Sequence, residues 1–121
     1  MLPRGNFPLN YLPGAVSGLG ENTGEIMTAY VIMNIEVIDP SGYEEYKKLV
    51  PPVIKLFGGK YLVRGGRNET LEGDWHAQRL VILEFKSMEK AKTWLNSPEY
   101  ASARALRHKY AKTKMIVVDS L

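Results

Sequence analysis

From Met27 to the end, hydrophobic positions follow two alternating periods, one of two residues and one of about three and a half. In TAYVIMNIEVI, Tyr30, Ile32, Asn34 and Glu36 share one face of a predicted strand, and Val31, Met33, Ile35 and Val37 share the other. Asp39-Pro40 then supplies a helix cap followed by proline at the first helical position, where its missing N–H does no harm. Tyr43, Tyr46, Leu49, Val50, Val53, Ile54 and Phe57 recur behind it at helical spacing. Pro51-Pro52 predicts a kink or a restart, since each ring removes a backbone donor and crowds the preceding turn. Gly58-Gly59 ends the helix.

KYLVR predicts a second strand, and RLVILEF a third that is apolar on both faces and therefore central. Ser87 caps a short helix that turns Met88, Ala91, Trp94 and Leu95 inward. Ser97-Pro98-Glu99 opens a fresh helix reaching about Ala111, and KMIVVDS closes the chain as a fourth strand. The order is β-α-β-β-α-β, a ferredoxin-like α+β arrangement of four antiparallel strands with helices on one face. The other face stays bare and holds Ile32, Leu62 or Val63, and one row of the third strand. An apolar sheet face in water predicts a covering second copy, a homodimer.

Residues 1–26 break this patterning. They contain Pro3, Pro8 and Pro13, five glycines and almost no charge, without the basic start and apolar core of a signal peptide. They read as a leader or an overlong start, with an arm that folds onto a partner subunit as the alternative. The remaining 27–121 form one domain, in keeping with a chain of 121 residues. The absence of cysteine excludes disulfides, zinc–cysteine and iron–sulfur sites and a thiol nucleophile, and suits a reducing, cytoplasmic setting. A net charge of +3, mixed in sign along the chain, gives no reason to expect nucleic acid, and no apolar run is long enough to span a membrane.

KYLVRGGRNETLEGDW holds the glycines that most resemble a phosphate loop. No helix follows them, however, so they read as hairpin glycines: Gly65-Gly66 relieving a bulge and Gly73 a turn. Arg64 ends a strand beside open space and has two readings, a bidentate clamp for a carboxylate or an ion partner of Glu84 or Glu72. Glu84 lies in the row of Leu80 and Ile82, where a carboxylate is either paired or raised in pKa and available as a general base. Tyr30 and Asn34 share a strand face, while Tyr43 and Tyr46 lie in the apolar stripe of the first helix; all are candidates for core or for the wall of a flat pocket. His76, beside Trp75, is a solvated loop residue, a proton shuttle at a pocket mouth or an axial haem ligand. With His108 it makes a poor metal site. Arg104, Arg107, His108, Lys109, Lys112 and Lys114 form a basic run at a helix C-terminus, where the helix dipole favours cations.

The blocks AYVIMNIEVIDPSGYEEYKKL, GGKYLVRGG, LEGDW, RLVILEF, AKTWLNSPEY and the final VD, in that order, resemble domain-of-unknown-function family 1330 within the dimeric α/β barrel superfamily. The resemblance runs from Met27 to about Ser120. It departs from the family pattern at Lys86, where proline is expected, and at Leu95, where tyrosine often follows the tryptophan. It implies a compact homodimer whose sheets face each other, and no established reaction. The functional expectation is a protein that binds, and turns over without a tightly held cofactor, a small organic acid or aromatic compound. Arg64 orients the anion, Glu84 is the base or its partner, Tyr30, Tyr46 and Asn34 wall the pocket, and His76 stands at its mouth. The alternative is a noncatalytic dimeric module that senses a ligand or acts through its surface.

Overall fold

A computed structural model describes residues 27–121; the first 26, read above as a leader or arm, lie outside them. Strand β1 (Ala29–Val37) leads into helix α1 (Pro40–Leu56), then β2 (Lys60–Arg64), β3 (Arg79–Phe85), α2 (Met88–Leu95), α3 (Pro98–Tyr110) and β4 (Ala111–Asp119). The strands form one antiparallel sheet in the order β2-β3-β1-β4, so the two strands richest in aliphatic residues are central. The ferredoxin-like α+β fold is as expected, with the second helical region split into α2 and α3.

The predicted caps form. Asp39 accepts from the N–H groups of Ser41 and Gly42, Ser87 from that of Lys90, and Ser97 from that of Tyr100. The start of α1 is held further by Tyr110, whose carbonyl accepts from the N–H groups of both Ile38 and Asp39 at 2.8 and 3.1 Å. Gly42 faces the Tyr110 ring so closely that a Cβ there would sit 2.5 Å from it.

Between the helices and the sheet lies the core. Val31, Met33 and Ile35 of β1 and Val81, Leu83 and Phe85 of β3 meet Tyr43, Tyr46, Val50 and Ile54 of α1, with Trp94 and Tyr100 closing the far side. Trp94 is wholly buried, its ring centroid 4.5 Å from that of Tyr100 and 5.4 Å from that of Phe85. The opposite face carries Tyr30, Ile32, Leu80 and Ile82, half-buried, with Ile116 and Val118 exposed on β4.

Three expectations are corrected. Of the kink or restart expected at Pro51-Pro52, the restart does not occur: helix α1 runs through both prolines. The carbonyl that Pro51 cannot reach is that of Lys47, four residues earlier, and it accepts instead from Arg64 of β2 at 3.0 Å. A side chain of the neighbouring strand thus supplies the missing rung. The bulge in β2 falls at Leu62, between Tyr61 and Val63, and not at Gly65-Gly66. Strand β4 begins at Ala111, ahead of KMIVVDS, because Ala111 and Thr113 already face the core while Lys112 and Lys114 point away from the helices.

Candidate functional site

The bulge at Leu62 decides where the candidate residues go. Lys60 pairs with Glu84 and Tyr61 with Leu83. Beyond the extra residue, Val63 pairs with Ile82 and Arg64 with Val81. Unbroken alternation would place Arg64 on the face of Glu84; the bulge turns it to the helix face instead. The expected Arg64–Glu84 ion pair is therefore absent, and Arg64 makes none with Glu72. Glu84 is paired by Lys60 at 3.1 Å on the open face, which leaves its own candidacy as a base dependent on that lysine.

The six candidates divide between the two faces. Tyr30, Asn34, Glu84 and His76 belong to the open side, whereas Arg64 and Tyr46 belong to the helix side. Tyr30 and Tyr46 therefore do not wall one pocket. On the open side, Asn34, Trp75, His76, Lys112, Lys114 and Ile116 border a shallow groove of about 520 Å³. Asn34 Oδ1 accepts the backbone N–H of Gln78 at 3.0 Å and so anchors the end of the long β2–β3 loop.

The helix side holds a denser chemical arrangement. Tyr43, Tyr46, Tyr61, Lys47, Arg64 and Arg79 close a small chamber between α1 and the sheet, over a floor of β1 and β3 aliphatic side chains. Its free space is about 10 Å³, scarcely one water molecule. The Arg64 guanidinium lies over the Tyr61 ring, 4.7 Å from its centroid, and that of Arg79 lies 5.7 Å from the centroid of Tyr43. Neither arginine has a carboxylate partner among the described residues. Arg79 Nε is buried with no acceptor among the described residues, an arrangement that costs stability unless something fills it.

Gly65 has the role that the sequence reading assigned to Arg64's surroundings. Its φ is +75°, and a Cβ at this position would fall on the Arg79 guanidinium. The glycine thus makes room for Arg79. Gly73, with φ +87°, supplies the expected turn.

Behind the chamber, Tyr46 Oη and Tyr100 Oη lie 2.7 Å apart, and Arg107 Nε donates to Tyr100 Oη at 3.3 Å. Arg107 is only 3% exposed, so it leaves the solvated basic run in which the sequence placed it. Burial pushes the Tyr46 hydroxyl far above the usual tyrosine pKa, reinforced by Tyr100. Burial also raises Tyr43 and Tyr61, partly offset by Arg79 beside Tyr43 and Arg64 beside Tyr61. These phenols stay protonated at neutral pH, and Tyr43 accepts from the Arg79 guanidinium, which can only donate.

Sequence reasoning missed Arg79, Tyr100 and Arg107. Parity marks each in retrospect: Arg79 stands two residues before buried Val81, and Tyr100, Ala103 and Arg107 share one helical face.

The model for a domain of unknown function, DUF1330, matches residues 28–121. The chain belongs to the DUF1330 family. Among solved structures, it is similar to a protein of unknown function from Rhodopseudomonas palustris at 20% identity, covering 79% of this chain and 84% of that one with a TM-score of 0.66. It is also similar to a dimeric ferredoxin-like protein of unknown function from Thermobifida fusca at 10% identity, covering 78% and 92%, with a TM-score of 0.56. At these identities the likeness concerns the fold alone. No curated protein matches the chain. Among the described residues, no helix is long and apolar enough to cross a membrane.

Proposed function

We propose that this DUF1330 protein binds a small organic acid in the chamber between α1 and the sheet, as a homodimer joined through the open sheet faces. The observation that carries the reading is the pair Arg64 and Arg79, two guanidinium groups without a carboxylate among the described residues, one with a buried Nε lacking any acceptor. Planar guanidinium groups match carboxylates in geometry and charge. The chamber is closed in this state, so the acid enters by displacing the Lys47 and Arg64 side chains at its rim and easing α1 outward. Pro51 and Pro52 favour that movement, because two helical hydrogen bonds are missing there. The exposed Ile116 and Val118 beside half-buried Ile32 and Ile82 support the dimer, as does the dimeric description of the Thermobifida relative.

Titration calorimetry with small monocarboxylates tests the site. Arg79→Ala should weaken binding at least about tenfold, the scale of one charge-assisted hydrogen bond, while the melting temperature stays level or rises. Undiminished binding by a folded Arg79→Ala protein would remove the chamber from consideration. The noncatalytic module remains the alternative, distinguished by turnover of the bound acid.

A further inference from the structure

Among the described residues, the polar lining of the chamber is arginine, lysine and tyrosine side chains, rich in donors, with no carboxylate or amide side chain. Beneath it, Arg107 donates to Tyr100, and the Tyr100 and Tyr46 hydroxyls share one short contact. A guanidinium only donates, so the Tyr100 oxygen is an acceptor on its Arg107 side. Either hydroxyl could donate across the 2.7 Å contact, but an oxygen that already accepts from a cation is a weaker acceptor and a stronger donor, which favours Tyr100 as the donor to Tyr46. The hydrogen count agrees. Arg107 Nε–H and two hydroxyls bring three hydrogens to two contacts, which leaves one without an acceptor among the described residues. With Tyr100 as donor it is that of Tyr46, whose side chain lines the chamber together with Arg64 and Arg79.

We infer that Tyr46 determines specificity for a second ligand oxygen, and that the ligand is a 2-oxo acid. The inference rests on the acid-binding reading above. Arg64 and Arg79 hold the carboxylate, and the Tyr46 hydroxyl, polarised through Tyr100 by Arg107, donates to the keto oxygen. A keto oxygen accepts without donating, which suits a site that offers donors. An acid lacking that oxygen leaves the Tyr46 hydrogen as unsatisfied as it is in the empty chamber.

Pyruvate and propionate serve as probes, since they differ at the second carbon alone. Calorimetry on the wild-type protein should give a Kd for pyruvate about tenfold below that for propionate, the scale of one hydrogen bond backed by a charge. Tyr46→Phe should bring the ratio close to one, because the donor to the keto oxygen is lost. A ratio that survives Tyr46→Phe, or equal affinities in the wild type, would overturn the inference while acid binding stands. Failure of both acids to bind would overturn it together with the reading beneath it. If Tyr46→Phe does not fold, carbon-13 labelling of the tyrosine rings in the wild type decides. The Tyr46 Cζ resonance should move with pyruvate and not with propionate; identical responses would refute the assignment.

Discussion

The two faces of the sheet are built from the same alternating strands, yet they handle polar groups in opposite ways. On the open face, charge meets charge at the surface: Glu84 is answered by Lys60, and Asn34 by the backbone of Gln78. Under the helices, Arg79 and Arg107 are drawn inward among tyrosines with no carboxylate partner among the described residues. Such an arrangement is costly in a structure that serves stability alone, because a buried cation loses water that no anion replaces. The proposed dimer would cover the open face, and the proposed ligand would complete the covered one.

The sharpest way to break this comparison is to truncate one large side chain on each face. Trp94→Ala should cost about 3–5 kcal/mol in urea unfolding, since a wholly buried ring leaves a cavity. Ile116→Lys changes a residue that is 61% exposed. It should leave the unfolding of the isolated chain almost unchanged and shift sedimentation equilibrium from dimer to monomer. A dimer insensitive to that lysine would place the interface elsewhere.

The next effect belongs to the covered face alone. In the fold, Tyr46 keeps its proton well above the usual tyrosine pKa, whereas the unfolded chain ionises near pH 10. The stability this residue contributes is whole below about pH 10 and is lost as pH rises beyond it, by up to about 1.4 kcal/mol per pH unit. Urea midpoints measured between pH 9 and pH 11, taken as roughly one unit either side of the free tyrosine pKa, should fall less steeply for Tyr46→Phe than for the wild type. Equal slopes would mean that the phenol is not sequestered.

The smallest effect sharpens the link between helix and strand. Arg64→Ala should destabilise the protein by about 0.5–1.5 kcal/mol, by leaving the Lys47 carbonyl without a protein partner. In a Pro51→Ala background, position 51 regains an N–H for that carbonyl, so the same Arg64→Ala change should cost less. Additive effects in this double-mutant cycle would show that the two groups do not share the carbonyl.

The fold was legible because its signals are local. Asp39, Ser87 and Ser97 announce their helices, and the alternation in AYVIMNIEV matches the buried and exposed rows of β1. The site was legible only in fragments. Arg64 was singled out for open space beside its glycines, yet Gly65 makes room for Arg79 instead; the ion pair weighed with Glu84 or Glu72 does not form, because a bulge with no sequence mark of its own adds one residue at Leu62. Arg79 and Arg107 carried the right parity and were passed over, because arginine in a core position contradicts the ordinary rule of burial. Such exceptions depend on tertiary contacts between β3, α1 and α3 that no local pattern encodes.

The Tyr110 carbonyl, which takes two N–H groups at the β1–α1 junction, and the near contact of Gly42 with the Tyr110 ring have a mechanical consequence. They fix α1 at its first turn, while its far half lacks two rungs at Pro51 and Pro52. A rod clamped at one end and softened toward the other moves as a cantilever: its swing grows with distance from the clamp. Tyr43 would stay nearly still, and residues beyond the Arg64 tie at Lys47, such as Val50, would travel farther. The chamber would then gape from its outer rim and keep its inner wall in register, so that the proposed acid would meet a fixed hydroxyl behind a moving cation.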